Sequence, residues 1–485
     1  MQLSHSNSQA SPVLFQIIEL EKKYNNSEGV FFSMSASLKS YDEKSSIINE
    51  VPVYSDDVEE GPPKDKYHLV YLIFLLQGTG VLFPWNAFIS APDYFGKLYG
   101  DGIMLYFSVA YSVPNLLGLL IMIKFGSKLS MRMKMFPAYV LTFFILLAVP
   151  ILGFAGVDGT PGLVVTLIFI VLAALCTSLM QGGIFGMAGI LPANYTQAVM
   201  SGNGIAGVAC SALRIITKLT IEQNRKHVPL LIMTTSAAVY FFVCAIVVLL
   251  CIVTFWIVMR TDFVKYYLDK ASHTAGTETQ KLTEEYDEIS TISNSATTNA
   301  HPSVWTVFKK IWLQAVMVMS VFWVTLSIFP GLAVSVPTYY VGTAMADWLP
   351  ILIGATFNVF DFIGRSAPRW IIMFNAKWVT APIIARLLFL PLFIFLYKPQ
   401  IFGLDAFNDS IPLLAMALLA LSNGYLSSLC MMFGPSNVDH NEKETAGTMM
   451  TFFLLLGICL GSNTGLGIGQ ILSAVIPNPV SPYVE

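Results

Sequence analysis

Charge is what this sequence has least of. Only 12% of its 485 residues are Asp, Glu, Lys or Arg, about half the ~25% usual in a soluble domain, which argues against a soluble enzyme. The charge is also uneven. Ten of the 30 acidic residues fall within residues 1–63, against four basic ones, and another charged block lies at 260–310. A net charge of -3 leaves no basic face for nucleic acid. Cysteine is sparse: Cys176, Cys210, Cys244, Cys251, Cys430 and Cys459 all sit in apolar runs without metal-ligand spacing. They read as small hydrophobes, neither disulfides nor ligands. There is no GxxxxGK[ST] loop, no HExxH and no plausible catalytic triad, so neither hydrolytic nor ATP-driven chemistry is expected, and no metal or other cofactor. No cleavable signal peptide is visible either: Val13–Leu20 is too short and contains Glu19.

Apolar sequence is abundant, at 55% hydrophobic residues and a mean hydropathy of +0.65. A helix needs about 20 apolar residues to cross the hydrocarbon core. Stretches of that kind lie near 67–89, 102–124, 135–154, 162–190, 198–219 and 230–259, then 311–336, 348–371, 379–397, 410–434 and 445–476. The sequence therefore predicts an all-α polytopic membrane protein with eleven spans, six and five. The expected organisation is a disordered tail (1–63), a first bundle (64–259), a solvated linker (260–310), a second bundle (311–476) and a short tail (477–485). With the N-terminus inside, 15 Lys and Arg fall on the cytoplasmic side and five outside. That bias predicts a cytoplasmic N-terminus and an extracellular C-terminus. Lys218, Arg225 and Lys226 are the misfits.

Polar residues at membrane depth are costly and face the bundle interior or a water-filled path. Asp361 is the one carboxylate well inside a span, and Arg214, Arg365 and Arg386 are the basic residues there. In NVFDFIGR, Asp361 and Arg365 are four apart and share a helix face with Asn358. The pair offers acceptor and donor groups to a polar ligand, or serves as a structural ion pair that never meets one. Arg214 and Arg386 lie toward span ends and are expected to snorkel to an interface. Pro84 interrupts the first span, with Trp85 and Asn86 after it. Trp85 suits stacking on a flat ring, and Gln181 has an amide that can match a nucleobase edge. Span eleven carries Gly457, Gly461, Gly465 and Gly469 at four-residue steps, and span four carries Gly182 and Gly186 with Gly183 and Gly189. Such stripes let helices approach closely. Residues alone lead to a polytopic carrier or channel with an Asp–Arg polar interior.

Five stretches carry a more specific likeness: DKYHLVYLIFLLQGTGVLFPWNAFI, QGGIFGMAGILPANYTQAVMSGNGIAG, FNVFDFIGRS, SNGYLSSLCMMFGP and ETAGTMMTFFLLLGICLG. In this order, over about residues 64–476, the chain resembles the equilibrative nucleoside transporter family. The resemblance implies a major-facilitator-like fold of two bundles around a central cavity, moving nucleosides, with nucleobases as further candidate cargo, down their gradients by alternating access. It further implies that Gln181 hydrogen-bonds the base while Leu82 and Trp85 pack on it, and that Asp361 and Arg365 hold the ribose hydroxyls. Asn358 would join the same lining, Ile458 the apolar wall, and Asn86 would brace the kink. Ser112 stands where the family often has a larger apolar residue such as Met. Arg132 and Glu444 match positions that pair when the inside closes.

A second reading is a carrier of organic cations such as monoamines; members of that kind have a Glu in span five where this chain has Asn203, and an amide favours a neutral substrate. Arg365 keeps Asp361 ionised, which predicts weak pH dependence of transport near neutrality; the alternative is proton-linked transport in an endosomal or lysosomal membrane. EKSSII loosely resembles an acidic di-leucine sorting signal, but plasma membrane is the expected location. The Ser- and Thr-rich stretch 284–299 makes a regulatory kinase acting on the 260–310 linker a candidate partner, beside the nucleoside and the lipid bilayer. Of the sequons at Asn25, Asn194 and Asn408, only Asn408 falls outside.

Overall fold

The computed structural model describes residues 63–271 and 303–475, apart from short stretches between helices. The N-terminal tail with EKSSII and Asn25, the 284–299 stretch and the C-terminal tail lie outside the described residues. Inside a bilayer a backbone must satisfy its own polar groups, and a helix does so within one segment. The long elements are α1 (Leu69–Ile89), α2 (Ile103–Phe125), α3 (Met131–Phe154), α4 (Gly159–Ile190), α5 (Ala193–Thr220) and α6 (Leu230–Val258) in the first half. In the second half they are α7 (Val304–Ile328), α8 (Met345–Ser366), α9 (Thr380–Tyr397, with one 3-10 turn at Arg386–Leu388), α10 (Ser410–Ser436) and α11 (Lys443–Val475).

Among the described residues, nine helices are long and apolar enough to cross a membrane. α5 and α8 are long enough but too polar, because α5 carries Gln197, Ser201 and Asn203 and α8 carries Asn358, Asp361 and Arg365. The eleven expected spans each overlap one of these helices, and apolar composition alone accounts for nine of them. Several boundaries differ from expectation: α3 begins at Met131 and α5 at Ala193, four and five residues early, and α7 ends at Ile328 instead of 336. α7 begins at Val304, seven residues earlier than its apolar run, since Lys310 on its early turns donates to Asp439 Oδ2 and Glu442 Oε2, both at 2.6 Å. A charge ends an apolar run without ending a helix. The linker also opens with a helical stretch at 262–271, which buries Phe263 and Val264.

The same pairing order recurs in both halves: α1 packs on α5 and α2 on α4, as α7 packs on α11 and α8 on α10. α3 packs on α6, a pair with no counterpart among the described residues of the second half. Accordingly α9 buries 22% of its apolar window, against 44% for α3. Glycine sets the closest approaches. A β-carbon on Gly457, Gly461 or Gly465 would meet the α7 carbonyl oxygens of Met319, Trp323 and Ser327 at 2.3, 2.6 and 2.8 Å. One on Gly469 would meet no described residue within 4 Å, so the close approach shown for the other three is not repeated there. A buried polar joint ties three helices of the first half: Tyr139 donates to Gln77 Oε1, and Gln77 Nε2 donates to the Cys251 carbonyl at 2.9 Å. All six cysteines are free, five of them buried.

Candidate functional site

The two helices too polar to pass as ordinary spans pack against each other, one from each half, in an antiparallel seam. At one end Gln197 Nε2 donates to the carbonyls of Arg365 and Ser366 at 3.1 and 3.4 Å, and the hydroxyls of Ser201 and Ser366 lie 3.1 Å apart. One turn on, a β-carbon at Gly204 would sit 2.9 Å from Phe362 Cα. Further along, one at Gly207 would sit 2.5 Å from Asn358 Oδ1, and Asn358 Nδ2 donates to Ser211 Oγ at 2.8 Å. Residues 197, 201, 204, 207 and 211 thus form the α5 stripe that meets 366, 362 and 358 of α8. Small and polar side chains at helical spacing make this approach possible.

The expected pair sits in that seam. Arg365 Nε donates to Asp361 Oδ2 at 2.6 Å, one helical turn apart, and both residues are buried. Asn423 Nδ2, from α10, donates to Asp361 Oδ1 at 2.7 Å. A carboxylate has about four acceptor positions, so each oxygen retains capacity for one more donor. The Arg365 guanidinium reaches the Met200 thioether of α5 at 3.8 Å, a weak acceptor, and lies 5.7 Å from the Phe322 ring centroid. The site therefore holds a fixed carboxylate with spare acceptor positions and a fixed cation with little acceptor competition.

Behind it runs a buried polar relay that sequence reasoning missed. The Thr325 hydroxyl donates to Asn423 Oδ1 at 2.7 Å and receives Arg386 Nη2 at 2.5 Å. Arg386 Nη1 reaches the Leu419 carbonyl at 3.1 Å and Ser422 Oγ at 2.5 Å. The expectation that Arg386 snorkels to an interface is corrected here: it is 2% exposed. The 3-10 turn at Arg386–Leu388 begins at this residue, and α7 and α10 surround the guanidinium with carbonyls and hydroxyls that replace water. The signal available was a set of three uncharged polar residues, Thr325, Ser422 and Asn423, at mid-span. The Arg214 side chain lies outside the described residues.

In the first half, the carboxamide oxygens of Gln181 and Asn203 are buried and have no hydrogen-bond partner among the described residues. Trp85 stacks on Tyr111, with ring centroids 4.0 Å apart and planes 15° from parallel, so one indole face is already covered. α1 continues through Pro84 to Ile89. Leu82, Asn86, Ser112 and Ile458 are half-buried, Leu82 and Ile458 against the main core.

The expected Arg132–Glu444 pairing is not the one formed in the structure. Glu444 is bonded by Lys134, not by Arg132: Lys134 Nζ lies 2.5 Å from Glu444 Oε1. Positions 132 and 134 are two residues apart on α3, about 200° around the helix, so only one faces α11. Lys134 is the buried one at 3% exposure, whereas Arg132 is exposed and reaches the Met259 carbonyl at 3.5 Å. Beside the Lys134–Glu444 pair, α4 and α11 cross at glycines. A β-carbon on Gly447 would meet the Phe185 carbonyl oxygen at 2.2 Å, and one on Gly186 would meet Glu444 Cγ at 3.1 Å. The Gln197–Arg365 contacts and the Arg369 guanidinium 3.9 Å over Tyr71 join the halves at the corresponding ends of α5 and α8.

Comparison with known proteins finds matches both to the fold and to the sequence. Solved structures of major facilitator superfamily transporters match the fold: the proton:xylose symporter XylE bound to 6-bromo-6-deoxy-D-glucose has a TM-score of 0.55 at 11% identity, covering 84% of this chain and 90% of that one. FucP in its outward conformation gives 0.52 at 12% identity, covering 84% and 91%. A family model described as "Nucleoside transporter" matches residues 167–466. Equilibrative nucleotide transporter 1 of Arabidopsis thaliana is 33% identical over 82% of this chain and 86% of its own length. Equilibrative nucleoside transporter 1 of Homo sapiens is 31% identical, over 82% and 96%. With that identity over nearly the whole length of these relatives, the chain belongs to the equilibrative nucleoside transporter family.

Proposed function

We propose that the protein carries nucleosides across a membrane by facilitated, alternating access, without ATP. It is a transporter and not an enzyme, as its family is. The observation that carries the substrate reading is the Asp361–Arg365 pair, fixed by Asn423 in the seam between the halves. A carboxylate that accepts and a guanidinium that donates match the vicinal hydroxyls of a ribose. Gln181 and Asn203 supply unpartnered amide oxygens for base N–H groups, with Leu82, Trp85, Ser112 and Ile458 as the less polar surround and Asn358 at the seam. The Arg365 charge is balanced by Asp361, and both terminal nitrogens of Arg386 are bonded to Thr325, Leu419 and Ser422, leaving only its buried Nε without a partner among the described residues, so little cation remains for a phosphate. That favours a neutral nucleoside over a nucleotide.

In this reading the bundles of residues 64–259 and 311–476 rock about the seam. The Lys134–Glu444 pair closes one side, the cytoplasmic one when the N-terminus is inside. The plasma membrane is the proposed location, and a kinase acting on the 260–310 linker remains a proposed partner. The test is initial-rate uptake of labelled adenosine, uridine and an organic cation in cells without endogenous nucleoside transport, with and without depolarisation. Saturable nucleoside uptake insensitive to depolarisation is expected. Cation uptake that collapses on depolarisation, with no nucleoside signal, would overturn the reading in favour of an organic-cation carrier.

A further inference from the structure

Arg132, released from Glu444, lies at the mouth of a different feature. Between the start of α3 and the end of α6 is a groove of about 400 Å³, lined by Arg132, Met133, Phe136, Pro137, Phe255, Trp256, Met259 and Arg260. That volume is within the roughly 300–1,000 Å³ of small-molecule sites. Its walls are apolar and open outward: Met133, Phe136 and Trp256 are 64%, 44% and 52% exposed, over a floor at Phe255. The apolar surface continues along α3 through Leu141 and Phe144 and along α6 through Val253 and Leu250. Two guanidiniums stand at the end where both helices leave the apolar region. Arg132 is anchored to the Met259 carbonyl, and Arg260 lies 3.6 Å over the Trp256 ring. Among the described residues no carboxylate lines the groove, and the nearest in sequence, Asp262, is held by Lys265 at 3.3 Å.

We infer that this groove is a binding site for an anionic phospholipid, its phosphate between Arg132 and Arg260 and an acyl chain along the α3–α6 surface. The argument is charge complementarity joined to shape. A headgroup with net negative charge meets two cations and no anion, and its chains meet the apolar track directly below. Tryptophan at the interface holds one guanidinium at headgroup depth. A zwitterionic headgroup would bring its own cation toward two arginines and gain less. The groove also explains why Arg132 points away from α11, since Lys134 on the opposite side of the same turn is the residue that meets Glu444.

The test uses the full-length protein in nanodiscs of phosphatidylcholine with a fixed fraction of phosphatidylglycerol, reading co-purifying lipid by native mass spectrometry. Wild type is expected to retain phosphatidylglycerol in preference to phosphatidylcholine. Arg132→Gln and Arg260→Gln should each lower that preference about fivefold, in line with the attraction of one surface cation for anionic lipid. The control Lys309→Gln/Lys377→Gln removes two exposed cations outside the groove and should leave the preference unchanged. A wild type without preference, an Arg132→Gln/Arg260→Gln protein that keeps it, or a control that loses as much would overturn the site. Quenching by brominated phosphatidylglycerol supplies a readout that needs neither arginine variant. Trp256→Phe should remove a saturable part of the tryptophan quenching seen in wild type, and identical quenching curves would also overturn the site.

Discussion

Two of the carboxylate–cation pairs among the described residues, Asp361–Arg365 and Lys134–Glu444, differ in how they are built. Asp361 and Arg365 are on one helix, one turn apart, both buried, with Asn423 bonding the remaining carboxylate oxygen. Lys134 and Glu444 come from opposite halves, and the Glu444 side chain is 32% exposed. A pair within one helix travels as a rigid unit and keeps its geometry in every conformation. A pair between halves must break when they part, and water already reaches one partner, which lowers the cost of breaking it. The first therefore suits ligand contact and the second suits a latch.

The largest effect should come from breaking the first pair. Asp361→Asn leaves Arg365 buried without its anion, a loss of about 3–5 kcal/mol for a broken buried pair. Uptake should fall to background and detergent-solubilised protein should melt earlier. Uptake near wild type would make the pair structural only. Asn423→Leu comes next: it keeps the charges but removes the donor to Asp361 Oδ1 and the link to Thr325. An unsatisfied buried group costs about 1–3 kcal/mol, read as a raised KM for nucleoside and a lower Tm.

Breaking the latch should do less to binding and more to the balance of conformations. Glu444→Lys or Lys134→Glu alone should expose the inward path, measured as faster labelling of a cysteine placed there, by severalfold for a partly exposed pair worth about 1 kcal/mol. The double exchange Lys134→Glu/Glu444→Lys should restore closure, while Arg132→Glu with Glu444→Lys should not. Gly447→Ala, whose β-carbon would strike the Phe185 carbonyl, should open the same side without touching a charge.

The smallest effect concerns pH and the loop before α11. Burial, then the positive charges of Lys443 and Lys270, push the His440 imidazole below its ordinary 6.5. The folded protein thus resists protonating His440, so its stability is full above the ordinary pKa and declines as pH falls below about 6.5. A shallow drop in Tm from pH 7 to pH 5.5 is expected, and His440→Gln should flatten it. Asp439 shifts in the same direction but in a lower range: hydrogen bonding to Lys310 holds its carboxyl below the usual carboxylate range, so its contribution survives until much lower pH.

The sequence by itself determined the helical membrane architecture, because long apolar stretches can bury their backbone in a bilayer in few other ways. It also singled out Asp361 and Arg365, because charges in an apolar run are rare and their four-residue spacing fixes a shared face. It gave the Gly457, Gly461 and Gly465 stripe for the same reason of helical period. Asn423, Thr325 and Arg386 were legible as polar residues in apolar runs, but their joining into one relay depends on α7, α9 and α10 converging, which no local pattern encodes. The choice of Lys134 over Arg132 likewise depended on the rotation of α3 about its axis. That rotation is set by which side chains pack against α6 and α4, so only the tertiary structure decided which cation pairs with Glu444 and which one lines the α3–α6 groove.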